Sequence, residues 1–134
     1  MSYDNLIEAA TKARGRAHAP YSKFSVGAAL LTKSGKIFTG CNVENASLGL
    51  TICAERSAVV AAIAGGEKEL AAIAIVTDFP EPVFPGGACR QVLAEFNPKL
   101  EVIASTIEGK SETAVLSELL PRSGHRILEP IRDV

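Results

Sequence analysis

Apolar positions along the chain fall into alternating helical and strand-like runs. Leu6, Ala9, Ala10 and Ala13 recur near helical spacing in an Ala-rich stretch, predicting a helix over residues 6–18 that Pro20 stops. FSVGAALLT at 24–32 predicts a strand with small residues at its centre. Lys33-Ser34-Gly35 then predicts a turn, residues 36–41 a second strand paired back on the first, and residues 42–51 an irregular loop. CAERSAVVAAIA at 53–64 is nearly all good helix formers, closed by Gly65-Gly66, and its apolar residues lie on most faces, which predicts a central, buried helix. Residues 70–77 predict a buried strand, 79–84 a proline-rich loop and 87–96 a further helix ended by Pro98. Residues 100–105 predict a strand, 108–110 a turn and 115–120 a short helix before Pro121. The order α-β-β-α-β-α-β with a short helical tail predicts a mixed sheet with helices on its faces, the three-layer α/β class.

Length and charge narrow the partner. A chain of 134 residues reads as one domain spanning residues 1–134. Fourteen basic and fifteen acidic residues leave a net charge of −1, which argues against a broad electrostatic grip on nucleic acid or on an anionic membrane. Aromatics at 5% and the absence of Trp argue against a base-stacking platform. A small, weakly charged molecule fits better. The first residues carry Asp4 and Glu8 rather than the apolar run of a signal peptide, and no stretch nears the length that spans a bilayer, so a cytoplasmic protein is expected. Cys41, Cys53 and Cys89 then sit in a reducing compartment, as thiols, metal ligands or a nucleophile.

Two of these cysteines stand at predicted helix starts: Cys53 within T-I-C-A-E-R and Cys89 within P-G-G-A-C-R-Q. Unpaired backbone N–H groups and the helix dipole favour a thiolate there. Two such thiolates can converge on a soft cation such as Zn²⁺, and Glu55 is spaced to hang over the open position of that metal as a general acid/base. Each residue also has a plainer reading: a cysteine in an Ala-rich helix is commonly a small buried hydrophobe, and a first-turn glutamate commonly a solvated carboxylate.

The wording of the segments extends beyond these residues. C-A-E followed by P-x-x-A-C-R-Q resembles the zinc deaminase signature, a (His or Cys)-x-Glu element followed by Pro-Cys-x-x-Cys. APYSKFSVGAAL at 19–30, TGCNVENAS at 39–47, CAERSA at 53–58, GACRQVLAEF at 87–96 and ELLP at 118–121 resemble, in order and at family spacing, the small homotetrameric cytidine deaminases. The resemblance implies a three-layer α-β-α sandwich on a mixed five-stranded sheet, and one Zn²⁺ per subunit. It implies Cys53 and Cys89 as zinc ligands, with Arg56 against their sulfurs and Cys41 not a ligand. Glu55 would carry protons between the attacking water, the pyrimidine and the departing ammonia. Asn42 and Glu44 would bind the ribose hydroxyls, Phe24 would line the pocket, and the backbone at Ala54 would hold the pyrimidine. Hydrolytic deamination of cytidine and deoxycytidine in pyrimidine salvage, within a homotetramer, is the implied function. The apolar central helix and a mean hydropathy of +0.19 also favour association.

The departures keep rival readings open. The family's middle ligand falls on Gly86, in Pro85-Gly86-Gly87-Ala88-Cys89. Either zinc is held weakly, or Cys41, Asp78 or a histidine substitutes, or the chain is a metal-poor nucleoside-binding homologue without catalysis. Leu48 stands where the family commonly has an aromatic residue, and the tail around His125 lacks the family's Phe, leaving His125 to stack instead. With E-L-L-P-x-S-G, which also resembles blasticidin S deaminases, these features keep a modified pyrimidine nucleoside or a nucleoside antibiotic as an alternative substrate.

Overall fold

The computed structural model describes residues 2–124. The elements are α1 (Asp4–Arg14), β1 (Gly27–Thr32), β2 (Ile37–Cys41), a 3₁₀ turn (Leu48–Leu50), α2 (Ala54–Ala64), β3 (Leu70–Thr77), α3 (Gly87–Phe96), β4 (Glu101–Thr106), β5 (Ser111–Val115) and α4 (Leu116–Leu119). They form a five-stranded sheet in the order β2-β1-β3-β4-β5. Strands β3 and β4 run parallel, joined through α3, while the other neighbours are antiparallel.

Alternation along the strands divides the core. Ala29, Ala72, Ala74, Val76 and Ile103 face α1 through Leu6 and Ala10. Ala28, Leu30, Ile73, Ile75 and Val102 face the other way, onto Ala54, Ala58 and Ala62 of α2, Leu93 of α3 and Leu116 of α4. Successive strand side chains point to opposite faces, so one sheet carries helices on both sides. Small residues bring two helices close. A Cβ on Gly27 would lie 1.9 Å from the Ala10 carbonyl oxygen of α1, and one on Gly40 2.4 Å from the Ala58 nitrogen of α2. Only glycine permits backbone to approach backbone in this way.

The three-layer arrangement agrees with the sequence reading; several boundaries differ. The first helix stops at Arg14, not at 18. A turn follows, with Arg16 N–H donating to Ala13 O at 3.0 Å and Ala17 N–H to Arg14 O at 3.2 Å, and His18 then forms a single bridge: its N–H donates to Asn42 O at 3.0 Å and Glu44 N–H to His18 O at 2.8 Å. The first strand starts at Gly27 rather than 24; ahead of it Asn42 holds the backbone, its side chain at Phe24 O and Val26 N–H and its own backbone N–H at Val26 O, 3.2 Å away. Residues 42–51 are more regular than an irregular loop, with a two-bond bridge between Val43 and Ile52 at 2.9 Å. Residues 111–115 are the fifth strand, which the hydrophobic pattern leaves out. SETAV is an edge strand, exposed over Ser111, Glu112 and Thr113, so it carries little apolar signal. Helix α2 is not buried all round: Val60 is 63% exposed on its outer face. His125 lies outside the described residues.

Candidate active site

Helices α2 and α3 start beside one another, and their starts carry the candidate chemistry. Cys53 is the residue capping α2, in extended backbone, and Cys89 sits in the first turn of α3, buried. The Cys53 side chain neighbours the Cys89 thiol. Burial pushes the Cys89 thiol well up, and the nearby Glu55 charge and Cys53 add to that; the Arg56 guanidinium opposes it. Arg56 donates through Nη2 to Thr51 O at 3.0 Å and approaches Cys53 Sγ at 4.0 Å. Its Nε is buried and finds no hydrogen-bond partner among the described residues.

Glu55, in the first turn of α2, is only 7% exposed. Burial raises its carboxyl above the ordinary range, partly offset by its own backbone N–H and by the Arg56 charge. It looks into a cavity of about 260 Å³ whose walls also include Phe24, Asn42, Glu44, Cys53, Ala54 and Gly86. Of the two expected zinc ligands, Cys53 is on that wall and Cys89 is not. Ala54 is the first residue of α2, where backbone N–H groups have no partner within the helix.

The two expected ribose binders are already engaged. Asn42 Nδ2 donates to Phe24 O and Asn42 Oδ1 accepts from Val26 N–H, both at 2.8 Å. Glu44 Oε1 accepts the backbone N–H groups of Tyr21 at 3.0 Å and Ser22 at 3.1 Å, and Oε2 accepts the Ser22 hydroxyl. The Ser22 bonds, the hydroxyl foremost, hold the Glu44 carboxyl below its ordinary range. A carboxylate has about four acceptor positions, so Oε2 retains one for a substrate hydroxyl. Asn42 likewise keeps one N–H.

Ser22, Thr51, Val83 and Phe84 also line the cavity; Ser22 and Thr51 lie within the quoted segments, but no role there was expected of any of the four. The polar or apolar character of each is ordinary, and only the fold brings them here. Arg90 is a further omission. Its Nε donates to Pro85 O at 2.6 Å and its Nη1 to Leu119 O at 2.8 Å, fastening the loop that bears Gly86. The C-R-Q wording around Cys89 held that signal. Leu48, 72% exposed, lies on a second, adjoining depression that shares Ser22, Glu44 and Thr51 with the cavity.

Thiols at two helix starts, with a guanidinium beside them whose buried Nε lacks a partner, fit zinc in kind. In number they fall short, since a catalytic zinc ordinarily has three protein ligands. Gly86 offers no donor, and among the described residues no cluster of three or more His, Cys, Asp or Glu is suited to a metal ion. Asp78 is paired with Arg14 at 3.1 Å, and Cys41 is not on the cavity wall. Gly86 itself has ordinary backbone angles, φ −69 and ψ 171, and an added Cβ would meet nothing within 4 Å. Neither conformation nor crowding requires glycine there.

Known proteins share this fold and much of this sequence. The family described as the cytidine and deoxycytidylate deaminase zinc-binding region matches residues 1–105. The cytidine deaminase of Halalkalibacterium halodurans is 48% identical over 122 residues, covering 90% of this chain and 92% of that protein. That of Sporosarcina psychrophila is 46% identical over 122 residues, covering 90% of each. The crystal structure of cytidine deaminase from Burkholderia pseudomallei superposes with a TM-score of 0.88 at 51% identity, over 91% of this chain and 98% of that one. In the Mycobacterium tuberculosis enzyme the TM-score is 0.80 at 40% identity, over 91% and 96%. Fold, site-bearing segments and relatives agree that this chain belongs to the cytidine and deoxycytidylate deaminase family.

Proposed function

We propose that this protein hydrolyses cytidine and deoxycytidine to the corresponding uridines, releasing ammonia, as one deaminase domain over residues 1–134. The observation that carries the reading is Glu55: a nearly buried carboxyl on the wall of a nucleoside-sized cavity, beside two thiols. The pyrimidine sits at the start of α2, against the Ala54 backbone, with Phe24 on the cavity wall. The Glu44 carboxylate and the free N–H of Asn42 take the ribose hydroxyls. Water adds to C4 of the ring, and its proton passes to Glu55. Glu55 delivers that proton to N3, then takes the proton of the new C4 hydroxyl and passes it to the exocyclic amine, so that the C4=O bond forms as the C4–N4 bond breaks and ammonia departs. A buried carboxyl of raised affinity for protons suits a group that must both take and give one near neutral pH.

No helix among the described residues is long and apolar enough to cross a membrane. A cytoplasmic enzyme acting on a free nucleoside, without nucleic acid or membrane partner, is the reading this supports. The exposed apolar residues Val43, Leu48, Leu50, Ile52 and Val60 support a homotetramer, because a monomer that size would leave them to water.

Loss of cytidine absorbance and release of ammonia, followed for the wild type and for Gly86→Cys in the presence of zinc, test the activity. Turnover of cytidine or deoxycytidine is expected. Absence of turnover of both nucleosides by both proteins overturns the reading.

A further inference from the structure

We infer that Arg90 is a positioning residue which, by holding the loop over residues 83–86 in place, limits the size of the group this cavity accepts at C5 of a pyrimidine. The inference rests on the deaminase reading and deepens it, since it assigns a specificity determinant to the same cavity.

Ring chemistry and the make-up of the wall meet at C5. In the proposed orientation N1 leads to the ribose at Glu44 and Asn42, while N3 and C4 are the atoms served by Glu55. C5 and C6 carry only C–H and are left to the apolar stretches of wall: Phe24 with Val26, Ile75, and Val83 with Phe84. The first pair is tied down by Asn42, and Ile75 lies within β3. Val83 and Phe84 stand between β3 and α3, in neither helix nor strand, so their place depends on what ties that loop. One tie is Lys110 Nζ to Glu81 Oε2 at 2.6 Å, with both side chains exposed, and such a pair is worth little in water. Arg90 holds more. Its backbone N–H donates to Gly86 O at 2.9 Å, its Nε to Pro85 O at 2.6 Å and its Nη1 to Leu119 O at 2.8 Å. One residue thus grips the two carbonyls that follow Phe84 and fastens them to the last residue of α4. Charge-assisted bonds from a planar fork are the strong kind. The guanidinium belongs to the first turn of α3, where the helix dipole disfavours a cation, and among the described residues no carboxylate pairs with it. The carbonyls it binds account for its being there. Pro80, Pro82 and Pro85 restrict the backbone of the same loop, so a clamp at its end is felt at Val83 and Phe84.

The test reads binding and needs no turnover. Uridine and 5-iodouridine, which the proposed reaction leaves unchanged, are titrated against each protein by ligand-observed NMR. The wild type is expected to prefer uridine, and Arg90→Gln to lose about tenfold of that preference, the scale on which a pocket discriminates small groups. Its KM for cytidine is expected to rise about tenfold as two charge-assisted bonds are lost, with kcat changed far less. Arg90→Lys keeps the charge without the fork and is expected to fall between the two. Val83→Ala widens the wall with Arg90 in place; it is expected to lower the preference likewise, and it decides the matter where Arg90→Gln does not fold. Lys110→Ala is expected to bind as the wild type does. A wild type that binds both nucleosides alike, equal weakening of both in Arg90→Gln, a preference that Val83→Ala leaves unmoved, or a full shift in Lys110→Ala would each overturn the inference. Cytidine turnover with an unmoved preference sinks this inference alone; a preference that moves in a protein turning over neither cytidine nor deoxycytidine sinks the deaminase reading alone.

Discussion

The Asn42 side chain bridges across Phe24, donating to its carbonyl and accepting from Val26 N–H, each at 2.8 Å. With the Asn42 backbone N–H, which donates to Val26 O at 3.2 Å, it ties residues 24–26 to the chain just past β2 and so sets one wall of the cavity. Asn42→Ala leaves two backbone groups without these partners, at a cost of about 1–3 kcal/mol. Denaturant unfolding is expected to show that loss, and steady-state kinetics a larger rise in KM than fall in kcat. Unchanged stability would mean that water replaces the amide at no cost.

Glu44 is expected to titrate below the ordinary glutamate range, because its proton-free form collects the Ser22 hydroxyl and two backbone N–H groups. For a carboxyl with a lowered folded value, the anchoring it provides is present above the ordinary value and is lost as pH falls through the folded one. KM for nucleoside is therefore expected to climb on acidification through that lower value. In Ser22→Ala the Glu44 carboxyl, followed by carbon NMR, is expected to move up toward the ordinary value. A Glu44 signal that titrates alike in both proteins would remove Ser22 from the account.

Glu55→Gln retains shape and burial and removes the proton carrier. kcat is expected to drop by about 10²–10⁴-fold, the usual contribution of general acid–base catalysis. Nucleoside affinity, measured calorimetrically, is expected to change little. A variant retaining most of its turnover would require another residue to move the protons.

Gly27 and Gly40 each admit a helix, and they separate packing from chemistry. An added methyl at either forces backbone apart, an overpacking cost of about 1–3 kcal/mol or more. Both Gly27→Ala and Gly40→Ala are expected to lower the melting temperature. Gly40→Ala is expected to reduce kcat further, because it displaces α2, which carries Cys53 at its cap and Glu55 in its first turn; α1 carries neither. Equal losses of kcat in folded samples would show that the α2 position does not limit the reaction.

Much of this arrangement is legible in the chain. Cys53, Glu55 and Cys89 stand at helix starts that composition and the flanking glycines mark, so their convergence follows once both helices lie on one sheet face. The alternation in LAAIAIVT likewise assigns Ala72, Ala74 and Val76 to one side and Ile73 and Ile75 to the other. What stays hidden is set by contacts distant in sequence. Residues 15–18 look helical until Asn42 and Glu44 pair with His18. SETAV has too few apolar residues to announce a strand, and only the β4 edge organises it. The engagement of Asn42 with Phe24 and of Glu44 with Ser22 is invisible for the same reason: a polar residue's partner is chosen by the fold.

The parallel run of β3 and β4 obliges the chain to leave the sheet and return by way of α3, and Gly86 falls on that outward passage. No strand register and no core contact depends on what occupies the position. Architecture and metal chemistry are thereby uncoupled: a lineage with this scaffold can shed or regain a sulfur at the site by a single codon change, while every layer beneath it stands unaltered.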